Sequence, residues 1–169
     1  MRNLPLIAIA ATVALACTAC GKSAGERAAE AAIEAGTGQK ADVDAKNGAV
    51  TIKTDKGEMK MTSGDTAALP ASFPKDVYLP EHYTVKSAME MPNAMVLEIE
   101  APGAVAAMYD KATKHMVGQG WKQQMAMQND ADNQMVVYEK DKRTASLSLS
   151  KNTDTNGVTL GVQIGTQQQ

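Results

Sequence analysis

The strongest constraint on the fold is a strict alternation near the carboxyl end. Ala145, Leu147 and Leu149 alternate with Ser146, Ser148 and Ser150. Val158, Leu160, Val162 and Ile164 alternate with Thr159, Gly161 and Gln163. Successive strand side chains point to opposite faces, so a period of two marks half-buried strands. The polar set then faces water, as one side of an antiparallel sheet can. Two further strands, Trp121–Gln128 and Gln134–Lys140, precede them. The joins Asn129–Asn133, Asp141–Arg143 and Asn152–Gly157 are rich in turn formers and suit hairpins.

Upstream, Tyr83–Met91 and Ala94–Glu100 read as two more strands turned by Pro92-Asn93. Tyr83, Val85, Ser87, Met89 and Met91 would share one face of the first, and Met95, Leu97 and Ile99 the core face of the second. Trp121, Met125 and Met127 would likewise share a face. Pro102-Gly103 opens a helix running to about Val117. Val105, Met108, Tyr109, Ala112 and Met116 recur at helical spacing and form its buried stripe. Residues 83–166 therefore predict an α+β main domain, an antiparallel sheet in the order ββαββββ with one helix on one face. Trp121, after Gly120, reads as a large core residue at the entrance to the second group of strands.

The preceding residues divide by period and composition. Residues 41–63 alternate Val50 and Ile52 with Thr51 and Lys53, then Met59 and Met61 with Glu58 and Lys60. With turns at Asn47-Gly48 and Lys56-Gly57, they predict a small β-meander, barely stable alone. Residues 64–82 carry Pro70, Pro74 and Pro80 and read as a linker. Its Leu69, Phe73, Val77, Tyr78 and Leu79 predict partial packing on the main domain. Residues 20–40 predict an Ala-rich helical tether, with Ser23 and Glu26 as a capping box and Gly36 and Gly38 at its end. Ile33 is its one large apolar residue, so the helix reads as a spacer.

The chain opens Met-Arg-Asn, then runs apolar or small from Leu4 to Ala16. That run is shorter than the ~20 residues a membrane-spanning helix needs and fits a secretory signal. It ends in Ala16-Cys17-Thr18-Ala19-Cys20-Gly21-Lys22, which resembles the lipobox of bacterial lipoproteins. The resemblance implies that residues 1–19 are a signal peptide. Cleavage before Cys20 would leave that cysteine carrying a thioether-linked diacylglycerol and an N-acyl chain such as palmitate. Cys20 fits best through its flanking small residues, with Cys17 as the alternative site. Several acyl chains make an anchor stable. The family's inner-membrane retention signal is an Asp after the anchor. Gly21 here, or Thr18 after Cys17, implies the periplasmic face of the outer membrane. Cys17-x-x-Cys20 also has redox spacing, but cleavage at Cys20 would remove Cys17.

Cleavage would remove Arg2 with the first 19 of 169 residues, leaving 16 basic against 19 acidic side chains. Interspersed and mildly acidic charge argues against a nucleic-acid partner, which wants a clustered basic face. One Phe, one Trp and four Tyr stand against 11 Met. Methionine, a flexible filler, therefore reads first as core.

Three Met-x-Met pairs, Met59/Met61, Met89/Met91 and Met125/Met127, nevertheless place two thioethers on one strand face each. Thioethers suit Cu(I) or Ag(I), and His115 or His82 would assist. This soft-metal or small-ligand reading is the alternative to core filling. No other metal, no cofactor beyond the covalent lipid and no catalytic set is predicted. The chain has no Gly-x-Ser-x-Gly elbow, phosphate loop or zinc spacing. The acidic pairs Glu98/Glu100 and Asp130/Asp132 read as solvated, and an enzyme would need His115 or His82 in a cleft with a carboxylate.

The helix, Gly-aromatic, hairpin order around Trp121 is similar to envelope-assembly lipoproteins with helix-grip-like domains. Leu69–Val77, with its Phe-Pro-Lys-Asp-Val segment, resembles uncharacterised small proteobacterial periplasmic lipoproteins. The expected function is a non-enzymatic binding or scaffolding module of the cell envelope, anchored by lipid and partnered by an envelope protein. The polar sheet face and the Asn/Asp-rich hairpin loops are the expected contact surfaces.

Overall fold

A computed structural model describes residues 21–128 and 130–166. Residues 1–20, on which the expected signal peptide, Cys17 and Cys20 fall, lie outside the described residues. The elements in chain order are α1 (Ala24–Thr37), β1 (Ala41–Asp44), β2 (Ala49–Thr54), β3 (Gly57–Ser63), β4 (Thr84–Met91) and β5 (Ala94–Ala101). Then come α2 (Val105–Gly118), β6 (Lys122–Gln128), β7 (Asn133–Lys140), β8 (Arg143–Asn152) and β9 (Gly157–Thr166).

All nine strands join one antiparallel sheet in the order β1-β2-β3-β4-β5-β9-β8-β7-β6. This overturns the expected ββαββββ sheet with one covering helix, preceded by a helical tether and a small β-meander whose pairing with the sheet the sequence leaves open. The meander strands β1–β3 continue the sheet, because β3 pairs with β4 through Met61 opposite Met89 and Thr62 opposite Ala88. Three strands too weak to stand alone gain a neighbour that shares their ladder.

The tether is also corrected. The capping box at Ser23 and Glu26 forms, but the helix docks on β1. Glu30 Oε1 accepts from Val43 N at 2.8 Å, and Glu26 Oε1 accepts from Ala45 N at 2.9 Å. Lys22 pairs with Glu30 and, at 3.0 Å, with Asp42. The Glu26 and Glu30 carboxylates are used on the outward amides of an edge strand.

The core lies on one face of the β4–β9 region. Leu97, Val162, Leu147 and Val136 face each other across four neighbouring strands and are buried. Full burial of each such side chain contributes about 1.5–3 kcal/mol. Helix α2 crosses this face between β5 and β6 and buries Val105, Met108, Tyr109, Ala112 and Met116. Tyr138 Oη, in the core of β7, shares a 3.0 Å hydrogen bond with Thr113 Oγ1 of α2.

Residues 64–83 close the same face. Phe73, Val77 and Tyr78 are buried in the core, and Ala67, Leu69, Leu79 and Tyr83 pack against it. A polar lock holds them down. Asp76 meets the Arg143 guanidinium through both oxygens, at 3.1 and 2.7 Å, and Lys140 Nζ at 2.8 Å. The Asp76 carbonyl accepts from Trp121 Nε1 at 2.9 Å. The Arg143 guanidinium lies 4.8 Å from the Trp121 ring centre, a cation–π geometry. Arg143 and Lys140 hold the Asp76 carboxyl well below its usual range, the Arg143 hydrogen bonds being the larger cause. Trp121 is a core residue, 2 % exposed.

Two β-bulges decide which residues reach the opposite, open face. In β4 the register shifts between Val85 and Ser87, and in β6 between Gln123 and Met125. An inserted residue reverses the parity that follows it. Val85 therefore stays in the core while Met89 and Met91 turn to the open face. Gln123 pairs with buried Tyr138, while Met125 and Met127 pair with Val137 and Met135. The single-face assignments for Tyr83–Met91 and Trp121–Gln128 are corrected accordingly.

Candidate functional site

Three features of the structure bear on function. The first is the open sheet face. A row of partnered residues crosses all nine strands: Val43, Val50, Met61, Met89, Val96, Gln163, Ser146, Val137 and Met125. It is apolar at both ends and polar in the middle. All three Met-x-Met pairs lie on this face. Met59, Met61, Met89 and Met91 are half-buried, and Met125 and Met127 are 44 % and 42 % exposed. The core is filled instead by Met95, Met108 and Met116.

Met61 stands directly opposite Met89, and Met59 and Met91 occupy the next place in the same register. Four thioethers are thus gathered on two neighbouring strands, with Met125/Met127 apart at the far edge. His115 belongs to α2, on the other side of the sheet, and cannot join either group. Among the described residues, no three His, Cys, Asp or Glu side chains gather as metal ligands do.

The second feature is the contrast between the two sheet edges. At β1, α1 satisfies the outward amides of Val43 and Ala45. At β6, all seven residues are exposed, and the strand ends the sheet. An unpaired edge presents a row of free donors and acceptors that templates another strand. Its Lys122 and its bulge interrupt that row only near the start. The acidic loop residues Asp130 and Asp132 lie just beyond the same strand. There Asp130 Oδ1 accepts from Asp132 N at 2.8 Å and Asp132 Oδ2 is 3.8 Å from Lys151. Glu100 accepts from Asn152 at 2.9 Å, which ties one member of the other acidic pair to β8, while Glu98 is exposed.

The third feature is a cleft of about 740 Å³ between α2 and residues 78–82, lined by both histidines and one carboxylate, the placement that an enzyme reading requires. Its lining includes Tyr78, Leu79, Met108, Lys111, Lys114 and His115, with Glu81 and His82 on the linker side. His115 and His82, far apart in sequence, therefore share one cleft. The His115 ring meets Tyr78 edge-on, with centroids 5.9 Å apart. Its Nε2 is buried and has no hydrogen-bond partner among the described residues. Burial, with the Glu81 charge as a lesser cause, pushes the Tyr78 phenol up. The lining contains no serine, threonine or cysteine, and Glu81 is its one carboxylate. Sequence reasoning missed the cleft because its two walls are joined only by the path of residues 73–79 beneath α2.

No helix among the described residues is long and apolar enough to cross a membrane. No family model matches this chain, and neither a curated protein nor a solved structure does.

Proposed function

We propose that the chain is a lipoprotein anchored through Cys20 to the periplasmic face of the outer membrane. There it acts as a non-enzymatic binding module that takes an extended segment of an envelope protein along β6. The observation that carries this reading is the asymmetry of the sheet edges: β1 is capped by α1 and β6 is bare.

The anchor gives that asymmetry a direction. Cys20 precedes the cap residue Ser23 by three positions, a reach of about 10 Å at most. With α1 docked on β1, the acyl chains would hold the capped edge at the bilayer. Nine strands at ~4.8 Å spacing place β6 roughly 40 Å further along the sheet. The bare edge is then the one presented to the periplasm. Strand addition uses backbone hydrogen bonds for affinity and alternate side chains for specificity.

The test is photo-crosslinking in intact cells from Gln124 and Ala126 of β6, with Ala31 of α1 as the comparison position. One envelope protein should be captured from β6 and not from α1. Its adducts should fall on alternate residues of a single segment, and they should be lost with Cys20→Ala. Equal capture from both ends, or no capture, would sink the edge assignment. Capture that persists without Cys20 would sink the anchor.

A second reading, soft-metal binding, is favoured by the four thioethers of Met59, Met61, Met89 and Met91 on adjacent strands. Native mass spectrometry with Cu(I) should then show one bound ion that Met61→Leu with Met89→Leu removes. An unchanged ion count in that variant would reject the site.

A further inference from the structure

We propose that the cleft between α2 and residues 78–82 binds an anionic amphiphile, a long-chain carboxylate, with its head at Lys111, Lys114 and His115 and its chain over Tyr78, Leu79 and Met108. This site lies on the core side of the sheet and is independent of strand addition at β6.

The volume comes first. About 740 Å³ is within the range of small-molecule pockets, which are mostly apolar with a few placed polar groups. Tyr78 and Met108 are 7 % and 5 % exposed, so they form a floor rather than a rim. Leu79, Pro80, Ala104 and Ala107 extend the apolar lining along the helix. Such a trough matches a hydrocarbon chain laid along α2.

The charge comes second. Lys111 and Lys114 are exposed, line the cleft and make no salt bridge among the described residues. They are one turn apart and so project to one side of α2. Ala104 offers α2 no side-chain cap, so the first-turn amides add positive potential at the other end of the trough. Glu81 is the one opposing charge. The balance favours an anion over a cation or a neutral chain.

The unpartnered imidazole comes third. A buried polar atom without a partner is destabilising, and such atoms are uncommon in native structures. His115 Nε2 is one of two such side-chain atoms among the described residues. As an N–H donor it would complete a carboxylate already held by two ammonium groups. The ring is set edge-on to Tyr78, so its position does not depend on the ligand.

The experiment uses the lipidated protein in nanodiscs and three photoreactive twelve-carbon probes: a carboxylate, an alcohol and a trimethylammonium. Peptide mapping should place the carboxylate adducts on residues 78–82 and 104–119, at least tenfold above the other two probes. Excess dodecanoate should compete them away. Lys111→Ala with Lys114→Ala should reduce labelling tenfold or more at unchanged Tm. His115→Phe, which keeps an aromatic ring beside Tyr78 but removes Nε2, should reduce it several-fold. Equal labelling by all three probes, adducts scattered over the exposed surface, or no labelling would overturn the site.

Discussion

At the β1 end of the sheet, two α1 carboxylates accept from backbone amides and the helix buries little apolar surface. At the β6 end, α2 and residues 73–79 build a core and leave the strand edge bare. The first end is closed to other chains and weakly held. The second is strongly held and open. Closing an edge and stabilising a sheet are therefore separate tasks in this molecule, performed by different elements at opposite ends. Hydrogen bonds contribute ~1 kcal/mol each, whereas one buried aromatic contributes several times that, so the two ends should respond very differently to substitution.

The largest expected effect is at the strong end. Trp121→Ala removes a core ring, the Asp76 carbonyl's donor and the platform under Arg143. The expected loss is about 4 kcal/mol, read by chemical denaturation. In hydrogen exchange, residues 73–79 and β6–β8 should open while β2 and β3 keep their protection. Loss of protection spread evenly over all nine strands would break the division into two ends.

Asp76→Asn comes next. It leaves Arg143 and Lys140 facing a neutral amide, for a loss of about 2 kcal/mol. The variant also tests a pH dependence. The Asp76 carboxyl is held below its ordinary value of 3.8, so the folded state binds that proton less readily than the unfolded chain. Its contribution is complete above pH 3.8 and fades as pH falls below it. Asp76→Asn should flatten the acid limb of the stability curve. An acid limb unchanged from the parent protein would mean that other carboxylates carry it.

How much of this was legible beforehand follows from where the information sits. The strands of the carboxyl half and the buried stripe of α2 are local periodicities, readable within ten to fifteen residues. The bulges at Lys86 and Gln124 are not, because an inserted residue looks like any other until its partner strand is known. Those two unseen parity changes put Met89 and Met91, and Met125 and Met127, on the wrong face. The role of α1 was hidden for a related reason. Glu26 and Glu30 look like a mildly repulsive helix face until β1 is brought alongside. The cleft needed both kinds of knowledge. Lys111, Lys114 and His115 were visible as helix residues, but the opposite wall, Tyr78 to His82, is brought to them by the burial of Phe73, Val77 and Tyr78 and by the Asp76–Arg143 lock.

Ser23→Ala probes the weak end. It removes the cap of α1, in which Ser23 Oγ accepts from Glu26 N at 3.2 Å and Glu26 Oε2 accepts in turn from Ser23 N at 2.5 Å. Loss of a cap costs about 1 kcal/mol. The informative readout is local. Glu26 is positioned by that cap and holds Ala45, and Glu30 one turn on holds Val43, so exchange at both amides should accelerate as α1 frays while the α2 core is unaffected. If those two amides stay protected, α1 docks without its cap and the edge is held by Glu30 and Lys22.

The smallest expected effect bears on the open edge. Met125→Thr with Met127→Thr should change stability by no more than about 0.5 kcal/mol, the usual range for exposed positions. Both side chains are more than 40 % exposed, and threonine suits a strand. The corresponding pair in the half-buried cluster, Met61→Thr with Met89→Thr, should cost more, about 1 kcal/mol, because each methionine there covers its cross-strand neighbour. The ratio of the two losses measures whether the open face contributes to the fold or only to recognition. Equal losses would mean that the methionines at both ends serve the sheet alike. A loss confined to the Met61 and Met89 variant would leave Met125 and Met127 as surface kept for contact, on the strand whose edge is bare.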